Sequence, residues 1–384
     1  CFLGFHNRSE SSALCALNED AKDMTRIPTR SLLSASLLLV ASCTPQVIHT
    51  ATVTPNSVIV LIADGAGVSH WTLAAFASDD LAIERMPVGG LVDTRGADHE
   101  VTGSAPSASA LATGVRTFMG AISVDMDSVP RQTVLEVAHE QGWATGLITT
   151  TWLTDATPAA FASHVPSRGQ MAEIFRQMID LPVNVLLGGG SSLLPLAQAR
   201  LGLDLRTPAM ERYTFVETEA DLESVSRSDA SMVLGFFAEG DMPLAPERSP
   251  NLAEMTAAAL RVLEKDPDGF FLMVENEGSD TEAHRNASRE VITAEMLGFD
   301  AAVGVALDYQ ERHPETLVLV TADHETGGLH LTGNEQREIV VGYATTDHTA
   351  ALVPLFASGP GAERFAGLKG NDEVGRILIE LVRR

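Results

Sequence analysis

Several apolar, β-branched stretches of this chain stop abruptly at a carboxylate. SVIVLIA runs into Asp64-Gly65, GFFLMVE ends on Glu275, and TLVLVTA is followed by Asp323-His324. A strand that is apolar at every position, rather than at alternate ones, has to be covered on both faces. Residues 145–151, 184–187, 269–275, 316–322 and 352–358 read as further strands of the same kind as 57–63. Helical spacing fills the intervals 68–77, 131–141, 170–180, 251–264 and 287–309. Strand-helix alternation of this sort predicts an α/β fold, a three-layer α/β/α sandwich around a large, mostly parallel sheet. Residues 56–384 read as a single catalytic domain, with a less regular, turn-rich and acidic excursion near 193–247. No internal repeat or low-complexity block interrupts it.

The placement of the carboxylates carries the functional argument. In an open parallel sheet, ligands gather at the carboxyl ends of the strands, where loops and helix N-termini converge. Asp64, Glu275 and Asp323 all fall there, and three carboxylates at one edge repel one another unless a cation sits between them. The bulk charge adds a constraint. The formal net charge of −25 keeps the surface soluble and repels nucleic acid, so nucleic-acid binding is not expected. It also repels phosphate esters, so any phosphate site here must carry its own positive charge, from metal ions or an arginine.

Other residues fit that picture in groups better than singly. Asp280 and His284, four apart, share one face of a helical turn and can grip one ion. Asp323 and His324 are adjacent, yet at a strand-to-loop transition both can turn to a metal. His348, in DHTA, is a weak signal alone. Carboxylates and imidazoles without a thiolate suit catalytic zinc and magnesium. Ser104 stands among small residues before Pro106, at the expected start of a helix, where the helix dipole favours an alkoxide and a bound phosphate. Taken alone it reads as an ordinary N-cap serine. TDATPAAFASHVPSR supplies Asp155, Thr157 and Arg168, the last offering a planar fork of donors for two phosphate oxygens. His70, His99, His139, His164, His313 and His330 read as packing or hydrogen-bonding residues.

The first 55 residues form a separate passage. All three cysteines (Cys1, Cys15, Cys43) lie there. Met24 precedes Arg26, Arg30 and the apolar run 31–40, too short to span a bilayer, which ends in the lipoprotein-like box VASC. The expectation is upstream translation over 1–23, a lipoprotein signal peptide over 24–42 and a tether over 43–55. An exported protein, periplasmic or on the cell surface and anchored to the membrane by lipid on Cys43, follows from it.

Six motifs in one order resemble the alkaline phosphatase family. They are DGAG, TGSAPSASALATGVRT, TDATPAAFASHVPSR, GFFLMVE followed by D-x-x-x-H, TADHETGG, and HTA with PLFASGPGA. The resemblance implies an alkaline phosphatase-like fold and hydrolysis of small phosphate monoesters through a phosphoserine, with two zinc ions and one magnesium. It implies that Ser104 is the nucleophile and Arg168 the phosphate clamp. Asp280, His284 and His348 would bind the first zinc, and Asp64, Asp323 and His324 the second. Asp64, Thr157 and Glu275 would hold magnesium, with Asp155 ordering its waters. A homodimer is compatible with the resemblance, though no interface is legible.

The chain also departs from the family pattern. Gly103 stands where many relatives place an aspartate that helps hold the arginine. Thr281 stands where they often have lysine, histidine or tryptophan, and residues 276–279 differ in wording while keeping the spacing. His324 and His348 lie close enough in sequence to exclude a large insertion, which marks a compact member. A phosphodiesterase or sulfatase on the same scaffold is the nearest rival reading, and a noncatalytic metal- or phosphate-binding lipoprotein a more distant one.

Overall fold

The computed structural model describes residues 54–383; the expected signal peptide, the Cys43 anchor and almost all of the tether lie outside the described residues. In chain order these form β1 (Ser57–Ala63), α1 (Val68–Ala77), β2 (Val88–Asp93), α2 (Ser104–Thr113), α3 (Val134–Glu140), β3 (Ala144–Trp152) and α4 (Ala156–Ala162). Next come α5 (Met171–Asp180), β4 (Val185–Gly189), α6 (Leu193–Leu201), α7 (Arg206–Arg212), β5 (Thr214–Val216), α8 (Glu219–Ser226), β6 (Val233–Phe236) and α9 (Leu252–Leu263). The remainder is β7 (Phe270–Asn276), α10 (Gly278–His284), α11 (Arg289–Arg312), β8 (Thr316–Thr321), β9 (Glu325–Thr326), β10 (His330–Gly333), β11 (Ile339–Gly342), β12 (His348–Thr349), β13 (Val353–Ser358), β14 (Gly367–Gly370) and α12 (Asn371–Val382).

Ten strands make one sheet in the order β14-β2-β13-β8-β1-β7-β3-β4-β6-β5. Strands β1, β7 and β8 are buried at every residue, which is why their sequences read as near-continuous apolar runs, and β3 is buried at all but its last, with four threonines among its residues. Helices cover both faces. α1, α9 and α11 pack together on one side, and α2, α3, α4 and α12 on the other. Local chemistry sets several helix starts: Thr133 with Glu136 and Asn251 with Glu254 form capping boxes, and Thr218 caps α8.

The α/β sandwich expected from the sequence is therefore present, with three refinements. Strand β13 runs antiparallel to both β2 and β8, while the other neighbours in the sheet pair in parallel. Residues 193–247 are not an irregular excursion over the sheet. They fold into α6, α7 and α8 with β5 and β6, and these two strands extend the sheet at its edge. Their strands are three and four residues long, too short for periodicity to stand out among acidic neighbours. Strand β2, also unread in the sequence, has two adjacent glycines, Gly89 and Gly90, before Leu91 and Val92, and of its six residues Val92 alone is buried. Among the described residues, no helix is long and apolar enough to cross a membrane.

Candidate active site

Strand register brings the acidic residues together. β1 pairs in parallel with β7 (Ile62 with Glu275) and with β8 (Ile62 with Thr321). Carried two residues past these pairs, the same register sets Asp64 level with Glu277 and Asp323. Glu275 lies two residues before Glu277, which follows the end of β7 as the cap of α10. The three strand ends thus deliver four carboxylates to one edge of the sheet.

Three groups of side chains there could hold a metal ion, each with donor atoms within 4.8 Å of one another: Asp280, His284 and His348; Asp64, Asp323 and His324; Asp64, Glu275 and Glu277. In the first group, Asp280 and His284 come from one short helix, α10, with Oδ2 and Nε2 3.3 Å apart. His348 arrives on β12, which pairs with β9 just after His324. Hydrogen bonds fix the tautomers. His284 Nδ1 donates to the Thr346 carbonyl at 2.7 Å and His348 Nδ1 to the Thr102 carbonyl at 2.8 Å. Both Nε2 atoms face inward, 3.0 Å apart, a contact that needs a cation between them or a proton on one of them.

The second group is fully buried. One Asp323 oxygen accepts the backbone N–H of Gly65 and of His324, at 3.2 and 2.9 Å, while the other, Oδ2, faces the cluster without a donor. Thr326 links the two groups: it takes the Nδ1 proton of His324 at 3.2 Å and gives its own to Asp280. His324 Nε2 is therefore directed at Asp323, at 3.3 Å, and at Asp64, at 3.5 Å. The rings of His324 and His348 stack with centroids 3.7 Å apart, so the two groups are continuous.

Ser104 is the first residue of α2, with Gly103 rather than the serine as its cap, and its side chain makes no capping bond. Its hydroxyl instead lies 3.3 Å from His324 Nε2. Ser107, one turn on, donates to the Asp323 carbonyl at 2.6 Å, and Ser279 donates to the Asp64 carbonyl at 2.7 Å. These bonds tie the helix and the strand ends together from behind.

The third group is the most acidic. Burial pushes the Asp64 carboxyl well above the ordinary range, and Asp323, Glu277, Asp280 and Glu275 push it further. Burial also raises Glu275 to about 8, with Asp155 and Asp323 adding to it against the hydrogen bond from Thr149 and the nearby Thr157 hydroxyl, and raises Glu277. Burial pushes Asp280 the same way, but hydrogen bonds from His284 and Thr326 and the charge of His324 outweigh it and hold that carboxyl low. Its bond to Asp280 lifts His284 to about 9. Both oxygens of Asp64 and Oε1 of Glu275 are buried without a hydrogen-bond donor. Buried carboxylates without donors are costly, and an all-oxygen donor set of this kind fits a divalent cation.

Two residues expected at this site are arranged differently. Asp155 lies in none of the three groups. Its Oδ1 caps α4 through the Ala156 N–H at 2.7 Å, and the same oxygen pairs with the Arg168 guanidinium. With Gly103 and not an aspartate before Ser104, Arg168 is anchored by Asp155. Thr157 lies one residue into α4, its buried hydroxyl against Glu275. Glu277 went unread because it lies past the end of β7, as the cap of α10. So did Thr149, whose hydroxyl donates to Glu275 Oε2 at 2.6 Å, and Thr326. The other histidines lie outside the groups; His164, for instance, bridges the Ser123 carbonyl and Glu136.

Comparisons with known proteins point one way. Residues 56–340 match the family model described as Alkaline phosphatase. The chain is 38% identical over 293 residues to alkaline phosphatase 3 of Bacillus subtilis, covering 71% of this chain and 62% of that protein, just under two thirds of its length. It is 33% identical to streptomycin-6-phosphate phosphatase of Streptomyces griseus, over 90% of this chain and 96% of that one. Among solved structures, alkaline phosphatase from the Antarctic bacterium TAB5 superposes with a TM-score of 0.80 at 31% identity, covering 86% of this chain and 99% of that one. A mutant of the same protein, with a TM-score of 0.78 and 30% identity, covering 86% and 98%, has magnesium bound in its M3 site.

Proposed function

Because the chain belongs to the alkaline phosphatase family, we propose that it hydrolyses phosphate monoesters to an alcohol and inorganic phosphate through a phosphoserine at Ser104. The observation that carries this reading is the Ser104 hydroxyl, at the positive end of α2 and 3.3 Å from His324 Nε2, facing a continuous set of metal-ligand side chains. Asp280, His284 and His348 would hold one zinc, Asp64, Asp323 and His324 the other, and Asp64, Glu275 and Thr157 magnesium. Bound there, the cations supply positive charge against the phosphate dianion and lower the pKa of nearby hydroxyls and water.

The protein's own groups do the rest. Ser104 is held on a helix whose position Ser107 fixes against Asp323, so its oxygen is aimed before substrate arrives. In the first step the Ser104 oxygen bonds to phosphorus as the bond to the departing alcohol breaks. In the second, water displaces the serine and releases inorganic phosphate. Arg168, presented by Asp155, offers its remaining N–H donors to the phosphate oxygens. A monoester dianion suits this concentration of positive charge better than a diester does.

The test is hydrolysis of a nitrophenyl phosphate monoester and of the corresponding diester, with and without chelator and by Ser104→Ala. Expected is strong preference for the monoester, loss of roughly 10³-fold or more on chelation and in Ser104→Ala, and recovery of the chelated sample with zinc plus magnesium. Undiminished turnover by Ser104→Ala would remove the proposed nucleophile.

A further inference from the structure

The cluster of Asp64, Glu275 and Glu277 contains one more carboxylate than the magnesium site expected from the sequence. We infer that Glu277 is a direct ligand of the third cation, which makes this a three-carboxylate, all-oxygen site selective for a hard divalent ion over zinc. The inference rests on the metal-dependent reading above and adds to it the identity of a ligand and the preference of the site.

Geometry carries the argument. Glu277 is the residue that the β1–β7 register sets level with Asp64, and one oxygen from each of Asp64, Glu275 and Glu277 falls within 4.8 Å of the others. Asp64 and Glu275 are 0% exposed, and Glu275 Oε1 and both Asp64 oxygens are buried with no hydrogen-bond donor, Asp64 Oδ1 being the one that lies 3.5 Å from His324 Nε2. The backbone N–H of Glu277 donates to Thr150 Oγ1 at 2.9 Å, which fixes the start of its side chain, and Thr281 Oγ1 donates to Glu277 Oε1 at 3.3 Å. That single donor leaves most of the acceptor capacity of the carboxylate for a cation. Arg168 feels the charge of both Asp64 and Glu277, but Asp155 already engages it.

The donor chemistry separates this site from its two neighbours. Each of those contains at least one imidazole, which suits zinc. Here every donor is oxygen, three of them anionic, with the Thr157 hydroxyl alongside. Magnesium and manganese prefer such a set. Three negative charges around one divalent ion also bind it more tightly than two would, because the third carboxylate otherwise repels its neighbours.

Manganese serves as the probe, since its free and bound forms are distinguished by electron paramagnetic resonance. Protein first loaded with zinc is titrated with manganese, comparing wild type with Glu277→Gln, which keeps the shape and the bond from Thr281. The expected result is at least about tenfold weaker manganese binding in Glu277→Gln, with magnesium competing in wild type and zinc content unchanged at the two histidine-bearing sites. Equal manganese affinity in the two proteins overturns the inference. Should Glu277→Gln fold poorly, a manganese-soaked crystal of wild type decides: an anomalous peak within about 2.5 Å of a Glu277 oxygen supports direct ligation, and one beyond about 3.5 Å, bridged by water, overturns it. An active phosphatase with unaltered manganese binding in Glu277→Gln would sink this inference alone; absent phosphatase activity with the manganese difference intact would sink only the functional reading.

Discussion

Arg248 and Glu295 form an ion pair at 3.0 Å with side chains 2% and 0% exposed, against the turn that joins β7 to α10. Arg248 also donates to the Pro243 carbonyl at 2.9 Å and to Asn276 Oδ1 at 3.2 Å, and Glu295 accepts the Ala245 N–H at 2.7 Å. Gly278, at the start of α10, packs so closely that a Cβ there would lie 2.3 Å from a Glu295 oxygen. Replacing Arg248 by methionine keeps most of the volume but strands the Glu295 charge and removes the donors to Pro243 and Asn276. Leaving one partner of a buried pair uncompensated costs about 3–5 kcal/mol, a large share of a total that for most proteins is roughly 5–15 kcal/mol. The double variant Arg248→Met/Glu295→Gln removes the stranded charge and should recover at least about 1–2 kcal/mol of the loss. Urea unfolding in the presence of chelator isolates this from metal linkage. Metal affinity should fall in parallel, since the disturbed turn carries Glu275, Glu277, Asp280 and His284. A cost below about 1 kcal/mol for Arg248→Met, or a double variant no more stable than the single one, would refute the reasoning.

Three further outcomes follow from single positions. Gly65 has a φ of +69°, and a Cβ there would lie 2.7 Å from Asp280 Oδ1 and from Thr326 Oγ1; Gly65→Ala should lower both metal content and activity, and full retention of both would contradict the packing. Gly103 leaves room for a methyl group, with Met119 Sδ 3.4 Å and His348 Cε1 3.6 Å from the added Cβ, so Gly103→Ala should keep activity within a few-fold and unfold at equal or higher denaturant concentration. Burial alone would lower the His164 pKa, but the Glu136 carboxylate and the Ser123 carbonyl outweigh it and raise it. A raised histidine pKa stabilises fully below the ordinary value near about 6.5 and loses that contribution as pH climbs through the folded-state value. Denaturation of wild type and His164→Gln across that window should therefore show a difference that shrinks as pH rises; a constant difference would contradict the pairing.

The strong parts of the fold were legible because burial on both faces writes near-continuous apolar runs, and β1, β7 and β8 are buried in just that way. Direction and partnership were not, because they depend on neighbours: nothing in VPLFAS says that β13 runs against the sheet. Strands β5 and β6 were hidden by their brevity, and β2 by its glycines. At the site, residues tied to a strand end or to one helical turn were readable. Asp280 and His284 meet across α10 as their spacing requires. Partnerships set by tertiary register were less accessible. Glu277 meets Asp64 through the β1–β7 pairing, and Asp155 faces Arg168 because α4 and the loop after it fold back on one another.

Anomalous diffraction above the zinc edge, on crystals of the protein loaded with zinc and magnesium, tests the central claim most directly. The account predicts two zinc peaks, one bound by Asp280, His284 and His348 and the other by Asp64, Asp323 and His324 with Ser104 beside it. Zinc bound away from these side chains, or absent from both sites in loaded protein, would contradict it.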